Sequence, residues 1–114
     1  MAECIFCKIA NRELESRLVY ESDDVVAFHD VNPQAPVHLL IIPKKHMASV
    51  LDLEAVDAEL ALRLLEVAGR LAREQGIAER GFRLVLNTNA EAGQSVPHLH
   101  LHLLGGRELS GQLG

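Results

Sequence analysis

The stretch His98-Leu99-His100-Leu101-His102-Leu103-Leu104 alternates imidazole with leucine. In an extended chain successive side chains point to opposite faces, so the three imidazoles share one face and the leucines the other. Neighbouring histidines then stand roughly 6.6 Å apart, from a rise of about 3.3 Å per residue. Half of the chain's six histidines fall within residues 98–102. Imidazole is the side chain whose charge normally changes between about pH 5 and 8. The row is therefore a set of nucleophiles, proton donors or metal ligands, and either catalysis or metal binding is the starting point.

Working outward from this strand, Gly105-Gly106 ends it, and the polar loop Asn87 to Gln94 leads into it. Pro97 fits a strand entrance, because it lacks a backbone donor and disfavours helix at Val96. Further strands are predicted at Leu18–Glu21, Val25–His29, Val37–Ile42 and Phe82–Leu86, separated by turn-forming clusters. The third is nearly all apolar and is stopped by Pro43, which predicts a central position. From about Glu54 the period changes. Leu60, Leu64, Val67 and Leu71 make the stripe of one long amphipathic helix, with Gly76 as its C-terminal stop. Residues 4–10 predict a short helical turn. The fold class is α+β: an antiparallel sheet of about five strands with one long amphipathic helix and a short N-terminal turn.

The 114 residues predict a single domain spanning 1–114, long enough for one core. A net charge of −5 with no Lys/Arg run argues against nucleic-acid binding. No apolar run is long enough to span a membrane. The N-terminus lacks the features of a secretory signal, so a cytoplasmic location is the default expectation. In that compartment Cys4 and Cys7, three positions apart, would stay reduced and suggest metal or redox use. His29 and Asp30 should point to opposite faces, which predicts an exposed His29 with no role.

Ala92-Gly93-Gln94-Ser95 precedes the histidine row. A glycine and two polar residues at a strand entrance can aim N–H groups and a hydroxyl at an anion, and beside three aligned imidazoles they suggest a phosphate cradle. One neutral imidazole could attack phosphorus and form a covalent intermediate, while a neighbour stabilises the phosphoryl oxygens.

The segment Gln94-Ser95-Val96-Pro97-His98-Leu99-His100-Leu101-His102-Leu103-Leu104 resembles the signature of the histidine triad family. Ile5-Phe6-Cys7-Lys8-Ile9, Ala27-Phe28-His29-Asp30, Pro33-Gln34-Ala35-Pro36-Val37-His38 and Ile42-Pro43-Lys44-Lys45-His46 resemble its Hint branch in the same order. So do Leu86-Asn87-Thr88-Asn89 and Gly105-Gly106-Arg107. The resemblance implies binding of a purine nucleotide and hydrolysis at its α-phosphate, typically of a nucleoside 5′-phosphoramidate, with no organic cofactor. It casts His100 as the nucleophile and places His102 on the phosphate. Ser95 would donate to the leaving nitrogen, the Gly93 and Gln94 amides would assist, and His38 would orient the triad. Asp30 would hold the ribose hydroxyls, with Val31 beside it and Asn87 across the pocket. Phe6, Ile9 and Phe28 would form the apolar slot around the base.

The resemblance also implies a homodimer, with the long helix and a strand edge at its interface. Some bacterial members similar to this chain bind zinc through a CxxC pair, the histidine of a Pro-Lys-x-His segment and the first triad histidine. All four positions are present, as Cys4, Cys7, His46 and His98. They predict one structural zinc per chain, closed to water because no coordination position is left over. Other readings are a dinucleoside polyphosphate hydrolase or nucleotidyl transferase of the same family, a catalytic zinc centre built on His98-x-His100, and a nucleotide-binding scaffold with incidental hydrolysis. The tail from Arg107 onward has no Trp, although relatives often carry an aromatic residue there.

Overall fold

A computed structural model describes residues 4–112. Helix α1 (Ile5–Ala10) leads into strands β1 (Leu18–Glu21), β2 (Val25–His29) and β3 (Val37–Pro43). Two short 3-10 turns, Val50–Asp52 and Ala55–Asp57, precede helix α2 (Ala58–Glu74). Strand β4 (Phe82–Val85), a third 3-10 turn (Ala90–Ala92) and strand β5 (Leu101–Gly105) complete the chain. The five strands form one sheet in the order β1-β2-β3-β5-β4, and every neighbouring pair is antiparallel.

Period-two alternation on the inner strands sorts the molecule into two layers. Val25, Ala27, Leu39, Ile41, Leu101 and Leu103 face α2 and pack on its buried stripe of Leu64, Val67, Ala68, Leu71 and Ala72. The residues between them, Val26, Phe28, Leu40 and Ile42, face the other way and pack under Cys4, Phe6 and Ile9 of the α1 segment. Strand β3 is covered on both sides, which explains its apolar run and its central place.

Helix α2 starts where Glu54 and Asp57 form a reciprocal capping box. The expected start near Glu54 thus becomes a 3-10 turn, with the α-helix proper beginning at Ala58. At the other end Gly76 takes φ +76°, its N–H reaches Arg73 O, and the Ile77 N–H reaches Ala72 O. This is a Schellman stop, and it needs a residue that tolerates positive φ.

The histidine strand differs from expectation in one respect. Sheet pairing begins only at Leu101, so His98 and His100 lie ahead of the ladder. Pro97 cannot donate, the His98 N–H folds back to Val96 O, and the Leu99 N–H donates to Met47 O at 2.7 Å. The extended alternation still persists through this entrance. Leu99, Leu101 and Leu103 enter the α2 core, while Phe6, on the opposite side, packs edge-on against His98 and His100. Strand β4 stops at Val85, one residue short of the predicted Leu86. His29, expected to be exposed, is half-buried at the end of β2, and burial lowers its pKa.

Candidate functional site

Two polar clusters sit on the α1 side of the sheet, at opposite ends of the histidine row. The first joins three distant segments. Cys4 is the N-cap of α1, and its Sγ accepts the Cys7 N–H at 3.3 Å, so the helical i, i+3 relation turns both thiols to one side. His98 Nδ1 lies 3.3 Å from Cys4 Sγ, 3.5 Å from Cys7 Sγ and 3.2 Å from His46 Nδ1. His46 Nδ1 is 3.2 Å from Cys7 Sγ.

His98 is fully buried, and its Nε2–H donates to Pro43 O at 2.9 Å, which leaves the Nδ1 lone pair aimed into the cluster. Burial lowers the pKa of His98, and burial together with the adjacent Cys4 thiol pushes the Cys7 thiol up to about 11. Both shifts favour the neutral forms of His98 and Cys7. The four donor atoms lie within 4.8 Å of one another and could hold a metal ion. All four residues expected as ligands from the sequence meet here.

The second cluster comprises Asp30, His38, His100 and His102. His38 lies on β3 opposite Leu104, and Leu40 lies opposite His102, so His38 and His102 are diagonal neighbours on one face. The Gln34 N–H donates to His38 Nδ1 at 3.0 Å. A backbone N–H can only donate, so Nδ1 is bare and the neutral ring carries its proton on Nε2. That Nε2–H donates to His102 Nδ1 at 2.9 Å, with Asp30 Oδ2 at 3.3 Å. His102 is thereby held with its own proton on Nε2.

His100 follows from a different contact. Its Nδ1 is 2.7 Å from His98 O, which can only accept, so Nδ1 carries the proton and Nε2 presents a lone pair. The rings of His100 and His102 have centroids 5.0 Å apart. One imidazole therefore offers a lone pair and its neighbour an N–H. Burial, then the nearby charges of His100 and His38, push His102 down to about 4, and burial also lowers His38.

The surrounding residues divide into three groups. Asp30 is half-buried, and its Oδ1 accepts the Asn32 N–H at 2.8 Å. Val31 is 98% exposed and Asn87 half-buried. Phe6, Ile9 and Phe28 are buried in the core under α1, where the Phe6 and Phe28 rings meet edge to face. The loop before the histidine row holds a finding against expectation. The Gly93 N–H donates to Ala90 O and the Gln94 N–H to Asn89 O, so both amides are engaged inside the loop. The Gln94 side chain bonds the Asn89 N–H, Ala48 O and Val96 O, whereas Ser95 is exposed.

Gln34, Pro43 and Met47 did not emerge from the sequence as site residues. Each acts through a backbone atom, and residue type carries no signal for that.

The HIT domain profile matches residues 11–109. The chain is 49% identical over 111 residues to a purine nucleoside phosphoramidase of Escherichia coli K12, covering 97% of this chain and 93% of that protein. It is 51% identical over 111 residues to an uncharacterised HIT-like protein of Synechocystis, covering 96% of each. The crystal structure of a HIT family hydrolase from Legionella pneumophila superposes with a TM-score of 0.96 at 49% identity, covering 98% of this chain and 100% of that one. A histidine triad protein from Clostridium difficile superposes with a TM-score of 0.95 at 42% identity, covering 99% and 98%. The chain thus belongs to the histidine triad family.

Proposed function

We propose that this protein is a nucleotide hydrolase that cleaves purine nucleoside 5′-phosphoramidates through a covalent nucleotidyl-His100 intermediate. The observation that carries the reading is the His100 hydrogen bond to His98 O, which leaves Nε2 unprotonated beside the N–H of His102. The substrate class comes from the Escherichia coli relative's name, purine nucleoside phosphoramidase. His100 Nε2 attacks phosphorus, a P–N bond forms to the imidazole, and the P–N bond to the amine breaks. The amine departs with a proton from the Ser95 hydroxyl, and the water of the second step returns a proton to Ser95 Oγ. Water then attacks the same phosphorus, the His100–P bond breaks, and nucleoside monophosphate is released.

The His102 Nε2–H supports the phosphoryl oxygens as charge grows on them, and His38 fixes that proton's position. Asp30 accepts the ribose hydroxyls, with Val31 and Asn87 flanking the nucleoside and Phe6, Ile9 and Phe28 backing the base. The Gly93 and Gln94 amides serve the phosphate only if the loop exchanges its internal bonds for the substrate. The Cys4, Cys7, His46 and His98 cluster holds one structural zinc. A tetrahedral Cys₂His₂ zinc site has ligand edges of about 3.3 to 3.6 Å between nitrogens or between nitrogen and sulfur, by geometry from the usual bond lengths. The observed separations of 3.2 to 3.5 Å match those edges.

The chain acts as one domain and as a cytoplasmic homodimer. Leu62 and Leu65 on α2, Phe82 and Leu84 on the edge strand β4, and Leu86 just beyond it are exposed apolar residues that a second copy would cover. Sedimentation equilibrium separates that pair from a 12.5 kDa monomer. Among the described residues no helix is long and apolar enough to cross a membrane.

Adenosine 5′-phosphoramidate tests the catalytic reading. His100→Ala should lower turnover on the order of 10⁴-fold while the variant still binds the monophosphate. Unchanged turnover would refute His100 as nucleophile.

A further inference from the structure

Two sequence segments enter the chemistry above through nothing but the Gln34 N–H: Pro33-Gln34-Ala35-Pro36 before β3, and Gly105-Gly106-Arg107 after β5. They meet in the fold. Gly106 takes φ +94°, and a Cβ placed there would stand 2.9 Å from Pro36 Cβ, so the two backbones approach closely. Immediately beyond, Arg107 Nη2 donates to Gln34 O at 2.9 Å, while Nη1 donates to Glu108 O at 3.0 Å.

Gln34 is consequently held on both sides of its Cα. Its carbonyl accepts from Arg107, and its N–H donates to His38 Nδ1. The other bonds of this turn are internal to it: Gln34 Nε2 to Asn32 O at 3.1 Å, and the Asn32 N–H to Asp30 Oδ1. Asn32, Pro33, Gln34 and Pro36 are exposed. An exposed turn has little packing of its own to hold it, so an external clamp decides where the Gln34 N–H points.

From these contacts we infer that Arg107 is a positioning residue, acting through Gln34 to hold His38, and through His38 to hold His102, in the tautomers that the reaction uses. The chain of contacts is continuous: guanidinium to Gln34 carbonyl, Gln34 N–H to His38 Nδ1, His38 Nε2–H to His102 Nδ1. Each link is a directional hydrogen bond, and the last leaves the His102 proton on Nε2. When the Gln34 N–H drifts away, His38 is free to carry its proton on Nδ1. Its Nε2 lone pair would then face the His102 Nδ1 lone pair, and His102 would have to turn over its own proton to restore the bond. The inference rests on the proposed function for what the His102 proton does, but not for the tautomers themselves.

Arg107→Met removes the donors and keeps most of the stem at an exposed position. Long-range ¹H–¹⁵N correlation spectra of the full chain, with His38 assigned by its loss in His38→Gln, report which ring nitrogen is protonated. Wild type should show His38 protonated on Nε2 alone, and Arg107→Met should show both tautomers. With adenosine 5′-phosphoramidate, kcat should fall about 10-fold at nearly constant KM, the scale typical of partners that orient a site from behind. Arg107→Lys, which keeps the charge without the planar fork, should fall between the two. It also carries the test should the methionine variant not fold. A folded variant whose His38 keeps the wild-type tautomer overturns the inference, and so does an unchanged kcat. If wild type does not turn over this substrate, the proposed function is what fails, and the tautomer spectrum alone decides the role of Arg107.

Discussion

Two carbonyl oxygens and one N–H set the chemistry of four imidazoles. By accepting, His98 O keeps the proton of His100 on Nδ1 and Pro43 O keeps that of His98 on Nε2, while the Gln34 N–H, by donating, keeps His38 Nδ1 bare, a constraint that His38 passes to His102. Three histidines that are equivalent in sequence thereby present different atoms: His98 a bare Nδ1 toward the thiols, His100 a bare Nε2, and His102 an Nε2–H. The low pKa of His102, about 4 against 6.5 for an unperturbed imidazole, has a consequence for stability. Between those values the unfolded chain binds a proton that the native site refuses, so native stability falls as pH drops from 6.5 through 4. Above 6.5 neither state is protonated and this group adds no slope. Urea midpoints measured from pH 7.5 down to pH 5 should decline for wild type and decline less for His102→Asn. Equal slopes would contradict the burial of a neutral imidazole.

At the level of elements, a six-residue helix and an unpaired strand entrance do more to assemble the cysteine–histidine cluster than any long element. The Cys4 cap and the helical spacing to Cys7 present two thiols. Pro97 delays sheet pairing, which lets the Leu99 N–H bond to Met47 O beside His46 and seats His98 under the helix. The CxxC spacing and the apolar helix stripe were legible from residue type, because both are local patterns with a known period. The delayed start of β5 was not, since alternation alone cannot tell a paired strand from an extended entrance. The Gly93 and Gln94 amides were likewise illegible, because a backbone donor's partner depends on the loop's own turns. If zinc joins these elements, His98→Ala should lose both metal and stability, whereas His100→Ala should keep both. At free zinc about 100-fold above its Kd, the bound form gains about 2.7 kcal/mol over the stripped one. Elemental analysis with thermal melts in the presence and absence of chelator checks this. A metal-free wild type that melts at the same temperature with and without zinc would refute it.

Across the whole molecule, the sheet separates structure from chemistry. One face carries leucines into the α2 core, and the other carries histidines under α1, so a single period-two pattern serves both. That division explains why the central β3 and the long helix could be read from apolar periodicity, whereas the strand order could not. Tautomers and backbone clamps could not, because they arise only where segments far apart in sequence meet. Along the α1 face the two polar clusters lie apart, with His98 and its thiols at one end of the row and His38 with Asp30 at the other. His100 lies between them, and the proposed reaction turns on its role as nucleophile. Rapid mixing of the protein with adenosine 5′-phosphoramidate, acid quench and peptide mass spectrometry reads that role directly. A nucleotidyl group should appear on His100 within the first turnover, decay as monophosphate is released, and be absent from His100→Ala. Full turnover with His100 unmodified throughout, or the label on another residue, would contradict it.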